Sequence, residues 1–314
     1  MRVSVVIPVY NNARLIEETL ATIYAQAAEG VEIVAVDDGS TDETAAVLQR
    51  HAGRLRHFRE ENSGGCSRPR NYGIKESRGE HIAIFDSDDL MMPAKLERQS
   101  AFLDRHPEVD FVFTDFVNFE GDREGEPHSH SCPRFRRALA GRRVEPDGYI
   151  LPAGEAYEIL LEENYIGAST MMFRRGLVEK IGGFNETYDS SEDREFALRV
   201  TRAGEIGFLD FIGHRRRIHG ASMSAQTEKV LTRKIRLFEE EGRIVRGNHR
   251  IIVRRRLSQL HLALGWHLRE RGRAKEGLAH YRRAIALRPL GLRAYAGLGR
   301  CLVRALRPPF ERGR

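Results

Sequence analysis

The sequence predicts an α/β protein with a doubly wound, mostly parallel sheet, followed by an α-helical C-terminal extension. Through the first 116 residues, apolar runs of strand length alternate with helical patterns, which is the order of a parallel sheet with right-handed crossovers. The run His81–Phe85 is apolar nearly throughout, as in a sheet whose two faces are both covered. From Thr227 onward only helical patterns occur, and these predict the extension.

These patterns place the elements of the sheet's core in chain order. The predicted strands are Val3–Val9, Val31–Val36, Leu55–Phe58, His81–Phe85 and Asp110–Phe116. The predicted helices are Ile16–Ala27, Glu43–His51, Pro69–Ser77 and Ala94–Arg105. Because ligands of such sheets bind beyond the carboxyl ends of the strands, the residues that follow each strand are candidates for a functional site.

The second half of the chain before the extension is expected to complete the same domain. From Glu120 to Pro152 the apolar periodicity is lost, which predicts a long loop or a partly ordered insertion. The elements predicted after it are a helix at Glu155–Glu163, a strand at Thr170–Phe173, a helix at Glu192–Ala203 and strands between Ile206 and Ile218.

The extension resembles one and a half tetratricopeptide repeats, although an ordinary helical hairpin would also fit the pattern. Leu298-Gly299 recurs 34 residues after Leu264-Gly265. The residues at repeat-like spacing are Leu264, Gly265, Tyr281, Ala284 and Pro289. The predicted domains are therefore residues 1–226 and residues 227–314.

Composition indicates a cytoplasmic protein without a spanning segment. No run of 18 apolar residues occurs, and the first residues predict a strand rather than a signal peptide. Cys66, Cys132 and Cys301 lack the spacing of metal ligands, so reduced thiols are expected.

Charge is divided unevenly along the chain. Residues 1–241 hold 32 Lys and Arg against 42 Asp and Glu, whereas residues 242–314 hold 19 against three. This asymmetry indicates that the basic tail meets an anionic surface, which could be a membrane, a nucleic acid or the acidic body itself. A solvated, arginine-rich helical face is the alternative. The candidate arginines form two clusters: Arg254, Arg255 and Arg256, then Arg269, Arg271 and Arg273.

Three carboxylates, Asp86, Asp88 and Asp89, directly follow the fourth predicted strand. Two Asp residues one position apart at a strand end can present hard oxygen ligands to Mg²⁺ or Mn²⁺, and such a cation could also hold a diphosphate. The alternative is an acidic turn that caps the helix beginning near Pro93.

Polar residues also follow the other predicted strands. Asp38 comes after the second strand and could accept hydrogen bonds from a base or from ribose hydroxyls, or merely cap the next helix. After the third strand, Gly64 and Gly65 precede a helix that contains Arg70, an arrangement that suits a diphosphate.

Taken together, these motifs resemble those of family 2 glycosyltransferases of the GT-A fold. The motifs, in chain order, are Pro-Val-Tyr-Asn, Asp-Asp-Gly-Ser-Thr-Asp, Asn-x-Gly-Gly, Arg-Asn-x-Gly-Ile, Phe-Asp-x-Asp-Asp, Gly-Gly-Phe-Asn-Glu and Glu192-Asp193. The resemblance covers roughly residues 1–220. It implies a nucleotide-diphosphate sugar donor, a saccharide or lipid-linked acceptor, a divalent metal (Mn²⁺ or Mg²⁺) and inversion at the anomeric carbon. Residues 1–116 would then bind the donor, residues 117–226 would bind the acceptor, and no nucleic acid would be involved.

The resemblance also implies residue roles. Asp193 would be the general base, Asp88 would contact the metal, and His219 could complete the metal site or be a surface imidazole. The donor-binding residues would be Pro8, Val9, Asn11, Asp38, Gly65, Arg70, Asp86 and Ser87. The chain departs from the family pattern at Pro69, which replaces a small residue, and lacks the Gln-x-x-Arg-Trp motif, which argues against a processive polymerase.

Three other classes of protein are alternatives to this interpretation. A haloacid-dehalogenase-type phosphatase also uses Asp-x-Asp. That motif lies on the first strand, however, and normally continues with Thr or Val where this chain has Asp89. A dinucleotide-dependent oxidoreductase would need Gly-x-Gly-x-x-Gly after the first strand, which is absent. The third alternative, a non-catalytic interaction protein that works through its helical tail, is left open by the sequence.

Overall fold

A computed structural model describes residues 2–26, 30–220 and 227–306 of the chain, with side chains described as far as Val303. The chain divides into two compact units, Met1–Gly220 and Ala221–Arg314. The boundary predicted between residues 226 and 227 lies six residues from this division. The predicted end of the first helix, Ala27, falls outside the described residues.

The first unit is built on one ten-stranded sheet among the described residues. Its strands are β1 Val3–Val9, β2 Val31–Asp37, β3 Arg56–Arg59, β4 His81–Ile84, β5 Leu90–Met91, β6 Phe111–Glu120, β7 Arg123–Pro127, β8 Gly148–Leu151, β9 Met171–Arg174 and β10 Ile206–Arg217. The order along the sheet is β3-β2-β1-β4-β9-β6-β10-β5, with β7 beside β6 and β8 beside β10.

Parallel and antiparallel pairs occupy different parts of this sheet. The strands β3, β2, β1 and β4 run parallel to one another, and β6 runs parallel to β10. The antiparallel strand β9 lies between β4 and β6, and the short strands β5, β7 and β8 also pair antiparallel. The predicted fold class is thus confirmed, with its antiparallel pairs formed by strands of the second half and by β5.

Eight α-helices are described in the first unit: α1 Ile16–Tyr24, α2 Thr44–Arg50, α3 Ser67–Glu76, α4 Lys95–Arg105, α5 Pro133–Ala138, α6 Ala153–Glu162, α7 Arg175–Ile181 and α8 Glu192–Ala203. All seven residues of β1 are buried, as expected for a central strand covered on both faces. The helix α3 packs closely on this strand, since a Cβ at Gly73 would lie 2.5 Å from Cγ1 of Val6.

Of the two alternatives predicted for Glu120–Pro152, a long loop or a partly ordered insertion, the long loop is wrong. This segment forms β7, a 3₁₀ helix at His128–Ser131, α5 and β8. Apolar side chains anchor it to the body, among them Phe135 and Leu151, which are fully buried. The strand β7 is polar and exposed, so its pairing with β6 comes from backbone hydrogen bonds that leave no periodicity in the sequence.

The second unit contains four described helices: α9 Thr227–Ile244, α10 Gly247–Glu270, α11 Ala274–Leu287 and α12 Leu292–Leu306. The ring of Tyr281 on α11 fills the space beside two glycines, Gly265 of α10 and Gly297 of α12. A Cβ at Gly297 would lie 2.1 Å from this ring, so the helices pack at a distance that only glycine permits. The tetratricopeptide-like interpretation stays a prediction.

Two of the six arginines predicted to face an anionic surface are engaged inside this unit. Arg269 is buried, with 7 % of its surface exposed, and pairs with Glu270. Arg273 binds the carboxylates of Glu228 and Glu276. The second predicted cluster therefore offers less free positive charge than its sequence indicates. Among the described residues no helix has both the length and the apolar character needed to cross a bilayer.

Candidate active site

Asparagines join the loops that follow β1, β2 and β4 at one edge of the sheet. Asn11 has a left-handed backbone (φ 46°), and its Oδ1 accepts a hydrogen bond from the backbone N of Thr41 at 2.7 Å. Asn12 donates from Nδ2 to the backbone O of Ser87 at 2.7 Å and to its Oγ at 2.9 Å. Asn12 is not among the predicted site residues, and its place directly after a strand is its only sequence signal.

Two predicted donor-binding residues lie inside the sheet. Pro8 and Val9 belong to β1, pair with Val36 and Asp37 of β2, and have buried side chains. Their assignment to a nucleotide pocket stays a prediction.

Asp38, which follows β2, holds the turn that follows β3. Its Oδ1 accepts a hydrogen bond from the backbone N of Ser63 at 3.0 Å, and its Oδ2 accepts one from the Ser63 hydroxyl at 3.1 Å. Burial raises the pKa of Asp38, while the hydrogen bonds from Ser63 oppose this shift. The predicted contact of Asp38 with a base or ribose is not tested by this geometry.

The turn beside Asp38 approaches the segment that leads into α8. A Cβ at Gly65 would lie 2.7 Å from the Cα of Asp189, which is closer than real Cβ contacts allow. Glycine at this position therefore permits the predicted diphosphate turn and the start of α8 to lie side by side.

Arg70 links the Asp-x-Asp segment to the start of α8. Its Nη2 donates to Oδ1 of Asp86 at 2.7 Å, and its Nη1 donates to Oε1 of Glu192 at 2.6 Å. Although burial opposes the charge, the carboxylates of Asp86 and Glu192 raise the pKa of Arg70 above its ordinary value. The Arg70 side chain is 2 % exposed, so in this conformation its guanidinium bridges two carboxylates and does not face an open nucleotide site.

The residue after Arg70 extends the same connection. Asn71 accepts a hydrogen bond at Oδ1 from the backbone N of Phe184 at 2.7 Å and donates from Nδ2 to its backbone O at 2.8 Å. The Arg-Asn pair on α3 thus holds both the Gly-Gly-Phe-Asn-Glu turn and the Glu192-Asp193 pair. These contacts join motifs that lie more than 100 residues apart in the chain.

We expect Arg70→Met to lower the free energy of unfolding by about 3–5 kcal/mol, because it leaves Glu192 buried without a compensating charge. Chemical denaturation followed by circular dichroism would measure the change. The matched control is Arg68→Met on the same helix, which breaks the more exposed pair with Glu60 (3.1 Å). This control should cost no more than about 1 kcal/mol. Equal losses in the two variants would argue against a buried bridge.

Asp88 and His219 form the part of the site that could hold a metal. Oδ2 of Asp88 lies 2.9 Å from Nε2 of His219, and each side chain is 28 % exposed. Burial and the neighbouring Asp86 carboxylate raise the pKa of Asp88, while His219 opposes this shift. Asp88 is therefore a carboxylate in a partly desolvated acidic cluster that a ligand can still reach.

The carboxylate of Asp88 and the imidazole of His219 fit a divalent cation of the Mg²⁺ or Mn²⁺ type. Neighbouring ligands at about 2.1 Å from such a cation are roughly 3 Å apart, which is close to the observed separation of the two atoms. Within the described parts of the chain no group of three or more His, Cys, Asp or Glu could hold a metal. A protein that supplies one or two ligands would leave the remaining positions to substrate phosphates and water, as is usual for Mg²⁺.

Asp89 fixes the position of Asp88 relative to His219. Its Oδ2 accepts a hydrogen bond from the hydroxyl of Ser169 at 2.6 Å, and its Oδ1 accepts one from the backbone N of Arg217 at 3.1 Å. The Arg217 side chain donates in turn to the backbone O of Asp88 at 3.0 Å. The end of β10, which leads to His219, is thereby attached to the Asp-x-Asp loop. Ser169 and Arg217 are not among the predicted site residues.

The two acidic residues that begin α8 have different environments. Glu192 is buried and bound to Arg70, whereas Asp193 is only half-buried. Oδ1 of Asp193 accepts a hydrogen bond from the backbone N of Arg194 at 2.7 Å. Asp193 is therefore the member of the pair that remains accessible to a substrate.

The sheet order and the acidic strand end beside an acidic helix start are the arrangement of a nucleotide-diphospho-sugar transferase domain. Comparison of the sequence with protein families agrees with this class. Residues 4–182 match the family described as glycosyl transferase family 2, and the chain belongs to this family.

Relatives with similar sequences are also named glycosyltransferases. A glycosyltransferase of Rickettsia felis is 31 % identical over 221 residues, which are 69 % of this chain and 34 % of that protein. A glycosyltransferase of Rickettsia typhi is 27 % identical over 237 residues, which are 76 % of this chain and 69 % of that protein. The chain thus spans about a third of the length of the first relative.

Solved structures share the fold at low sequence identity. Staphylococcus aureus TarS 1-349 in complex with UDP-GlcNAc is 22 % identical, with a TM-score of 0.68 over 96 % of this chain and 89 % of that chain. The mannosyltransferase PcManGT from Pyrobaculum calidifontis, in complex with GDP-Man and Mn²⁺, is 23 % identical, with a TM-score of 0.60 over 97 % of this chain and 85 % of that chain.

These comparisons confirm the predicted family and fold. The prediction of a glycosyltransferase is confirmed in so far as the matched family is a glycosyltransferase family. The phosphatase alternative is not supported, because Asp86 and Asp88 follow the fourth strand and the matched family is a transferase family. The residue roles predicted from the resemblance stay predictions.

Proposed function

We propose that the protein is an inverting, metal-dependent glycosyltransferase. It would move a sugar from a nucleotide-diphosphate donor to a hydroxyl of a saccharide or lipid-linked acceptor. The observation that carries the proposal is the Arg70 bridge, in which one guanidinium binds Asp86 and Glu192. The bridge joins the Asp-x-Asp segment, which is suited to the leaving diphosphate, to the start of α8, which is suited to the acceptor hydroxyl.

The proposed donor site lies along the carboxyl ends of β1, β2 and β4. Asn11, Asp38, Gly65 and Ser87 belong to the loops that meet there, and they are proposed to contact the nucleotide together with Pro8, Val9 and Asp86. Asp88 and His219 would hold the divalent cation. When bound, the cation would neutralise charge that develops on the departing nucleoside diphosphate.

Asp193 is proposed to take the proton from the acceptor hydroxyl. Because Glu192 is committed to Arg70, the half-buried Asp193 is the better candidate for a group that must reach the substrate. Direct attack by the acceptor hydroxyl on the side opposite the leaving group would invert the anomeric carbon. The buried bridge at Glu192 would keep the start of α8 in position during this step.

We also propose that the basic second unit brings the enzyme to an anionic membrane surface, where lipid-linked acceptors would be found. The excess of Lys and Arg over Asp and Glu in residues 242–314 supports this proposal. Arg254 and Arg255 of α10 are exposed and could contribute to the attraction.

A screen of nucleotide sugars would test the proposed activity. We expect one of them, with Mn²⁺, to raise the melting temperature of the whole chain, because a ligand at about 100 times its dissociation constant adds about 2.7 kcal/mol. The stabilising compound should also be hydrolysed slowly or transferred to an added acceptor. If no donor stabilised the protein or turned over, the non-catalytic alternative would be favoured.

A further inference from the structure

The last described helix, α12, has two apolar faces. One face packs inside the second unit through Ala294, Gly297 and Cys301, and both Ala294 and Cys301 are nearly inaccessible. The other face carries Leu292, Tyr295, Leu302 and Val303. Because an α-helix turns about 100° per residue, these four positions lie within about a third of its circumference and form one stripe along the helix. These four residues, together with Leu290 before the helix, are called the α12 stripe.

The α12 stripe is exposed to solvent. The exposed fraction is 81 % for Leu292, 47 % for Tyr295, 40 % for Leu302 and 58 % for Val303, and Leu290 just before the helix is 92 % exposed. Gly299 lies on the same face, and a Cβ there would meet nothing within 4 Å. Single exposed apolar residues are ordinary, but a contiguous stripe indicates a docking surface.

Charge around the α12 stripe decides which partner fits. Arg293 and Arg300, seven residues apart, run along one side of the stripe and are exposed. Residues 277–310 contain no Asp or Glu but seven arginines. A second copy docked through the same face would bring arginine against arginine, whereas an anionic surface would complement the charge.

We infer that the α12 stripe docks onto an anionic lipid bilayer. Its apolar side chains would enter the headgroup region, while Arg293 and Arg300 would face lipid phosphates. A helix with apolar residues on one side and arginines beside them is suited to lie in the plane of such an interface. The inference deepens the membrane contact under the proposed function, on which it rests, by naming a surface outside both predicted arginine clusters.

Co-sedimentation of the full chain with vesicles tests the inference. We expect binding to vesicles that contain phosphatidylglycerol, weak binding to pure phosphatidylcholine, and release by salt. The double variant Leu292→Ser/Leu302→Ser should bind at least about tenfold more weakly, because it removes two apolar side chains from the interface. The matched control is Ile251→Ser, an exposed apolar residue on α10 (67 % exposed), which should bind as the wild type does.

A fluorescence measurement gives an independent readout of insertion. Trp266 on α10 is the only tryptophan of the chain. The variant Tyr295→Trp in a Trp266→Phe background places a single fluorophore on the α12 stripe. We expect its emission to shift to the blue with phosphatidylglycerol vesicles, and an unshifted emission while the protein is bound would overturn the inference.

Other outcomes separate the possible partners. Undiminished vesicle binding by Leu292→Ser/Leu302→Ser, together with loss of binding by Arg254→Glu/Arg255→Glu, would refute docking through α12 yet leave electrostatic attachment in place. A wild-type dimer in solution that the same Ser variant converts to a monomer would assign the stripe to a second copy and overturn the inference. Donor hydrolysis measured without vesicles tests the proposed catalysis separately, since no stripe residue belongs to the proposed catalytic site.

Discussion

Replacing Asp193 by Asn is expected to lower sugar transfer by at least about 10²-fold while donor affinity stays nearly unchanged. The amide has almost the same shape as the carboxylate but cannot accept the acceptor's proton. The bridge between Arg70 and Glu192 does not involve Asp193, so the fold and the Asp-x-Asp segment should be preserved. Donor affinity by calorimetry and transfer rates at saturating donor would measure the two effects separately.

The control for this variant must account for the helix dipole. Asp193 lies in the first turn of α8, where a carboxylate stabilises the helix regardless of any catalytic role. Glu195→Gln removes another carboxylate from the same turn and leaves the proposed base in place. Comparable losses of transfer in Asp193→Asn and Glu195→Gln would indicate a structural role, and near-normal transfer by Asp193→Asn would exclude Asp193 as the base.

The strands β1, β2 and β4 could be predicted because their burial determines their composition. The strand β1 is covered on both faces, so all its positions are filled by residues that can be buried, and the run is visible without other information. The opposite holds for β7, whose residues Arg123–Pro127 are nearly all exposed. Its place in the sheet depends on backbone pairing with β6, and the sequence around it shows only polar residues.

In the candidate site, too, some residues could be predicted from the sequence and others could not. Asp86 and Asp88 could be found because a strand end places them at the ligand edge of the sheet, and their spacing is local. The partners that hold them are distant in sequence: Ser169 lies 80 residues from Asp89, and Glu192 lies 122 residues from Arg70. A buried Ser or Glu gives no local signal of its partner, so these contacts became visible only in the folded chain.

Replacing Asp88 by Ala is expected to abolish metal-dependent binding of the donor and, with it, transfer. Changes to residues that merely support metal ligands cost about 10- to 100-fold in affinity, so loss of a proposed ligand should lower donor affinity by at least about 100-fold in the presence of Mn²⁺. The variant should still fold, because Asp88 is partly exposed and its carboxylate has a pKa raised by burial and by Asp86. Removing it relieves an unfavourable charge.

The measurement for Asp88→Ala is a pair of donor titrations, one with Mn²⁺ and one with EDTA. The wild type should lose affinity in EDTA, whereas Asp88→Ala should bind equally weakly in both conditions. In Mn²⁺, the donor affinity of His219→Ala should lie between those of the wild type and Asp88→Ala, because this variant loses one of the two proposed ligands and keeps the carboxylate. Asp110→Ala is the matched control, since this carboxylate is as exposed as that of Asp88 (28 %), binds Lys180 at 2.6 Å and lies outside the proposed donor site. Wild-type donor affinity that is indifferent to EDTA would contradict a metal at Asp88, and His219 would then be a hydrogen-bond partner of that carboxylate and nothing more.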